Sequence, residues 1–182
     1  MTYAGKFLRG RTRIAAAAFA FAIVSATVAT AADKIVYPEP PAGTPVSTLI
    51  IENTLNPSQW SMKGGIGLVI TLDGFSLMTG AKLKGAGTLW GGKKYIPVGE
   101  SAITIAAGSH AMVHTAENTG NGWHSPVFEM AFDTEEGKTY RVKFLSTGTA
   151  LKKTYTIEYE GWSREQIAQW PSESAIARGL GR

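Results

Sequence analysis

Cysteine is absent from the 182 residues, and that absence removes several possibilities together. The chain has no disulfide framework, no lipid-acceptor cysteine and no thiol nucleophile. Its stability must come from a packed core. A long apolar run is missing too: the longest, Ile14–Val24, is shorter than the roughly 20 residues a helix needs to cross a bilayer, and it grades into Ser25, Thr27 and Thr30. The Gly-x-Ser-x-Gly elbow that presents a catalytic serine is also lacking.

The body of the chain has no surplus of either charge. The whole sequence carries 18 Lys and Arg against 14 Asp and Glu, but Lys6, Arg9, Arg11 and Arg13 all precede Ile14 in a region without acids. Setting those 4 aside leaves 14 basic and 14 acidic residues, a net charge of zero. Nucleic acid requires a basic stripe to displace counterions, and nothing here supplies one. Anionic lipid has no electrostatic hold either.

What the N-terminus does contain is the three-part pattern of a secretory signal. Basic residues from Lys6 to Arg13 precede the apolar Ile14–Val24 core, and small residues end at Ala29-Thr30-Ala31. Residues 1–31 are therefore expected to be a cleaved signal peptide, which places the mature protein in the periplasm or outside the cell. Residues 32–46 hold Pro38, Pro40, Pro41 and Pro45, which remove backbone donors and keep the chain extended, as a linker or an edge-hugging arm.

Residues 47–161 read as strands. Ser47–Asn53 carries Leu49, Ile50 and Ile51. In Ile66–Leu72 the set Leu68, Ile70 and Leu72 alternates with Val69 and Thr71, and Asp73-Gly74 supplies a tight turn into a return strand at Phe75–Met78. Tyr95–Val98 is strand-like, Ile103 and Ile105 mark another strand, and Ala107-Gly108 turns the chain into His110–Thr115. The clearest alternation runs from Val127 to Leu145. Phe128, Met130 and Phe132 share one face, Tyr140, Val142 and Phe144 resume it, and Thr134–Lys138 between them looks like the turn of an amphipathic hairpin. Thr154–Glu160 closes the series. About eight short strands separated by turn signals predict an all-β fold, an antiparallel sandwich. Within residues 162–182 a short helix is expected: Ser163 and Gln166 form a capping box, Trp162 can staple onto Ile167, Pro171 stops the helix, and a frayed tail follows Ser172.

The order Leu68-Val-Ile-Thr-Leu-Asp73-Gly74, Ile103-Thr-Ile-Ala-Ala-Gly108-Ser-His110 and Gly137-Lys-Thr-Tyr140-Arg-Val-Lys-Phe144 resembles the small envelope β-sandwich domains of the PEGA kind and their relatives. The resemblance spans about Ser47 to Glu160. It implies an exported, non-catalytic surface or periplasmic module.

Candidate chemistry is sparse. Gly87–Lys94 has phosphate-loop spacing, but Lys94 stands where a magnesium-binding Ser or Thr belongs and no helix pattern follows, so no nucleotide cofactor is expected. His110 and His114 have the spacing of a helical zinc pair, yet on a strand they lie about 13 Å apart, too far for one metal. They are expected to share a strand face with Met112, partly buried or at the sheet margin. His124, Asp73, Asp133, Glu129, Glu135 and Glu136 form no catalytic spacing, and the two glutamates sit in a turn where solvation explains them. An enzyme is therefore not expected, nor any metal.

Two non-catalytic roles remain. One is a structural or protein-interaction module of the envelope that uses sheet edges or the Pro-rich arm. The alternative is carbohydrate or peptidoglycan binding through Trp60, Trp90 and Trp123, which lie in turn- or glycine-rich stretches where indole faces can stack on sugars. The same rings could instead fold back to cap the open end of the sandwich. The export reading has a direct check. Intact-mass measurement of the protein isolated from the cell envelope should show a chain beginning at Ala32, and retention of residues 1–31 would refute cleavage.

Overall fold

A computed structural model of the chain describes residues 35–57, 65–79, 95–119, 123–147 and 154–175. Its strands are β1 (Val46–Asn53), β2 (Ile66–Leu72), β3 (Phe75–Ser76), β4 (Gly99–Ala106), β5 (Gly108–Asn118), β6 (Phe128–Thr134), β7 (Thr139–Ser146), β8 (Thr154–Glu160) and β9 (Glu173–Ala175), with one helical turn, α1 (Arg164–Ile167), before β9. They form two sheets, ordered β4-β1-β7-β8-β9 and β3-β2-β5-β6. Among the described residues no helix is long and apolar enough to cross a membrane.

Alternation decides which side chains meet between the sheets. Leu49, Ile51, Ile103, Ile105, Tyr140, Val142, Phe144, Tyr155 and Ile157 point inward from one sheet, and Leu68, Ile70, Leu72, Met112, Met130 and Phe132 from the other. The layers touch where the Phe144 ring stands edge-on to His114, 5.0 Å between centroids. Each such apolar side chain stabilises the fold by roughly 1.5–3 kcal/mol on burial. The all-β sandwich expected from the sequence is the fold found.

Its wiring differs from the expectation in an instructive way. β6 and β7 are not a hairpin, because β6 pairs with β5 in one sheet while β7 lies between β1 and β8 in the other. The segment Glu135–Lys138 carries the chain over the edge from one layer to the other. The two apolar faces still cover each other, but across the core rather than side by side. Ala107-Gly108 makes the first crossing of this kind in chain order, linking β4 in one sheet to β5 in the other, and Glu135–Lys138 makes the second. Gly108 has φ +134°, a backbone region that side-chain-bearing residues rarely adopt.

Both crossings occur at one end of the sandwich and are bonded there. The Ala107 amide donates to Pro45 O and the Gly137 amide to Val46 O, each at 2.8 Å, while the Thr134 hydroxyl lies 3.3 Å from the carbonyls of Ala106 and Gly108. The sheets are also not wholly antiparallel: β1 and β7 run parallel, with Ile50 opposite Arg141. That pairing is open to them because most of the domain separates the two in sequence, giving ample chain for a crossover.

Other boundaries move for local reasons. The return strand after Asp73-Gly74 is only Phe75–Ser76, since Leu77 and Met78 turn into the core. Tyr95–Val98 is not a strand; Ile96 donates its amide to Leu68 O, but Pro97 has no donor, and β4 begins at Gly99. The chain beyond Ser172 does not fray at once, because Glu173–Ala175 pairs with β8. Ahead of the prolines the chain is fastened to the fold: Ile35 is 5% exposed, within the core, and the Val36 amide donates to Leu77 O at 2.8 Å.

The expected capping box is present, with Ser163 Oγ accepting from the Gln166 amide and the Gln166 side chain accepting from the Ser163 amide. Trp162 next to it is buried, its indole N–H donates to Asp133 O at 3.0 Å, and its ring packs on Tyr140 (4.7 Å), Phe132 (5.2 Å) and Trp170 (5.2 Å). It pins the C-terminal turn to the second crossing. Trp162→Ala should cost about 3–5 kcal/mol in urea denaturation; a loss below about 1 kcal/mol would show that this corner is not part of the core.

Candidate functional site

The turn after β2 puts Asp73 and Gly74 both at positive φ, 51° and 78°, the conformation of a tight hairpin turn. That geometry aims the Asp73 carboxylate back at the sheet. Its Oδ1 accepts the Ala111 amide at 2.9 Å, and its Oδ2 accepts the Tyr37 hydroxyl at 2.7 Å and lies 2.7 Å from His110 Nδ1. The other ring nitrogen of His110, Nε2, lies 2.7 Å from Ala106 O. A carboxylate and a backbone carbonyl can only accept. Both His110 nitrogens are therefore satisfied together only when both carry protons, which is the imidazolium form.

The charge state follows from the same contacts. The bond to Asp73 raises the His110 pKa above its ordinary value, against the opposing effect of burial, with help from Ala106 O and the charges of Asp73 and Asp133. Burial alone would raise the Asp73 pKa, but hydrogen bonds from His110, Tyr37 and Ala111 outweigh it and hold the carboxyl below its usual range. His110 is 8% exposed, with its ring 5.5 Å from that of Phe132. With both nitrogens engaged and shielded, it serves as a charged clamp rather than a proton acceptor for a substrate.

His114 lies four positions on and faces the same way, with Met112 between, so the expected shared face is found, but both rings are buried rather than partly so, because β5 is an inner strand whose face is covered by the other sheet. Its surroundings are the opposite of those of His110. The ring sits between Phe128 (5.2 Å) and Phe144 (5.0 Å), is fully buried, and neither nitrogen has a hydrogen-bond partner among the described residues. Burial lowers its pKa to about 4, so it is neutral at physiological pH. Among the described residues no group of His, Cys, Asp and Glu converges as metal ligands would.

Of the three candidate tryptophans, Trp60 and Trp90 lie outside the described residues, as does Gly87–Lys94. Trp123 is 39% exposed and is not part of the buried core. It precedes a bulge. Glu117 is opposite His124 whereas His114 is opposite Phe128, so the β6 side has one extra residue between these pairs. The bulge turns Ser125 inward, where its Oγ accepts from the Ala116 amide (3.0 Å) and the Tyr155 hydroxyl (3.1 Å), tying the two sheets together. Pro126 fits there because an edge bulge tolerates a missing donor.

Two longer strands, β4 and β6, end their sheets. Beside β4 the arm turns at Pro41–Thr44, and a cleft of about 320 Å³ opens between Pro40, Pro41, Gly43, Val46 and Thr104. The outer face of the same sheet is polar. Arg141 reaches Glu52 (3.0 Å), Glu100 (2.5 Å) and Glu160 (3.5 Å), and Lys143 pairs with Glu160 and Glu158. These exposed pairs add little stability, and the four carboxylates outnumber the two cations they share. Glu129, Glu135, Glu136 and Asp133 are exposed; Glu135 pairs with Lys138, and Asp133 accepts the Ser109 hydroxyl.

The two histidines tilt the pH dependence of stability in opposite directions. The folded pKa of His114 is about 4 against an ordinary 6.5, so as pH falls through that interval the unfolded chain takes up a proton that the folded one refuses. Stability should drop by about 3 kcal/mol over that range, and His114→Leu should flatten the slope. His110 is raised, so its contribution is full below the ordinary value and is lost as pH rises through the folded value. Urea titrations across this range decide it, and an acid slope unchanged in His114→Leu would refute the assignment. Comparison of this chain with family models, curated proteins and solved structures gives no match, so its function must be inferred from the side chains themselves.

Proposed function

We propose that this protein is an exported, non-catalytic β-sandwich module of the bacterial cell envelope with a structural or protein-interaction role, as its resemblance to PEGA-like domains implies. The observation that carries this reading is where the polar chemistry is used. His110, Asp73 and Ser125 are occupied in joining parts of the fold, and His114 is sealed inside it. What faces outward is an extended Pro-rich segment beside the edge strand β4. Strand edges offer backbone donors and acceptors to another extended chain, and proline segments offer a preformed apolar ridge at little entropic cost. The partner is accordingly another envelope protein that presents an extended segment.

A photo-crosslinking residue at Pro41 or Thr104 should trap one discrete protein in the native envelope, and the same residue at Glu136, on the turn between β6 and β7, should trap none. Absence of any adduct from both edge positions would contradict the reading. The exposure of Trp123 supports the second reading, glycan binding. In that case Trp123→Ala would abolish retention on peptidoglycan while leaving the melting temperature nearly unmoved.

A further inference from the structure

The arm is fastened at three consecutive residues. Ile35 is buried in the core, the Val36 amide donates to Leu77 O at 2.8 Å, and the Tyr37 hydroxyl donates to Asp73 Oδ2 at 2.7 Å with its ring 6.1 Å from Phe75, edge-on. The last of these bonds shares its acceptor atom with His110. The geometry points to a proton-controlled strap: Ile35–Tyr37 is held against the β2–β3 turn while His110 carries both ring protons, and it comes loose when one of them is lost.

A neutral imidazole has one N–H and one lone pair. If the proton leaves Nδ1, its lone pair faces the Asp73 carboxylate across 2.7 Å, a repulsive contact. The carboxylate, whose side chain is 29% exposed, can then turn to water. If the proton leaves Nε2, the lone pair faces Ala106 O across 2.7 Å. That carbonyl belongs to β4 and cannot move, so the ring must rotate and Nδ1 leaves Asp73. Either way Oδ2 loses the donor that fixes it opposite Tyr37, and the carboxylate is left anchored only through Oδ1 on the Ala111 amide.

Among the described residues the ionisable groups that face His110 are few. Asp73 comes from the turn after β2, Tyr37 from the arm, and Asp133 acts through its charge from β6, itself held by Ser109 Oγ at 2.5 Å. Both carboxylates favour the doubly protonated ring. Nothing on that list replaces the lost proton. Release leaves the Leu77 carbonyl and the place of Ile35 open at the short β3 edge.

The chain has no cysteine, so a single Val36→Cys carries a unique nitroxide label, on a side chain that is 47% exposed in the native protein. Electron paramagnetic resonance should show the label mainly immobilised near pH 6. The ratio of mobile to immobile signal should rise about ten-fold or more, reversibly, by about pH 10. A label at Val98→Cys, exposed ahead of β4, should not change. Tyr37→Phe, which removes a single oxygen and keeps the ring, should leave the label at position 36 mobile throughout. The strap is refuted if that label stays immobilised through the titration, if both labels loosen together as in global unfolding, or if Tyr37→Phe titrates like the parent.

Discussion

His110 sits where the chain crosses from one sheet to the other, and its two ring protons are claimed by oxygens from different layers. Asp73 belongs to the turn that ends β2 in one sheet, and Ala106 is the last residue of β4 in the other. One cation thus holds together the corner through which β4 becomes β5. The second crossing, at Glu135–Lys138, is tied to the first by the Thr134 hydroxyl between Ala106 and Gly108. Trp162 then seals the outside of that crossing. Polar bonds close the sandwich here, and Ser125 joins the sheets again toward the other end of β5.

A partly buried ion pair such as this one is a weak source of net stability, because desolvating the charges offsets much of what their attraction returns. Its firmer contribution is specificity. Only one register of β5 against β2 and β6 brings His110 to Asp73, and a slip of one residue would turn His110, Met112 and His114 outward together. His114 works the other way, as a neutral ring packed like an aromatic hydrocarbon between Phe128 and Phe144. Two identical side chains, four residues apart on one face, are thereby held in opposite protonation states by what surrounds them.

Much of this was legible in the alternation of residues. β2, the Asp73-Gly74 turn, β8, the shared face of His110, Met112 and His114, and the Ser163–Gln166 capping box all follow from local pattern and turn chemistry. The layer to which a strand belongs does not. Alternation reports which face of a strand is apolar, and the faces of β6 and β7 are equally well covered by lying side by side or by lying opposite each other. Only the partners, β5 for one and β1 with β8 for the other, settle that. For the same reason the clamp escaped sequence reading. Tyr37, Asp73 and His110 each have an ordinary local explanation, and their convergence depends on a long-range fold. The exposure of Trp123 depends on the same long-range packing and cannot be read from neighbouring residues.

The central claim is that environment alone holds His110 as a cation and His114 as a neutral ring in one protein at neutral pH. A nitrogen-15 spectrum of the histidine rings measures this most directly, because protonated and lone-pair nitrogens resonate in separate regions. The account predicts two N–H signals from His110 and one from His114 at about pH 7. A neutral His110 at that pH, or a doubly protonated His114, would contradict it.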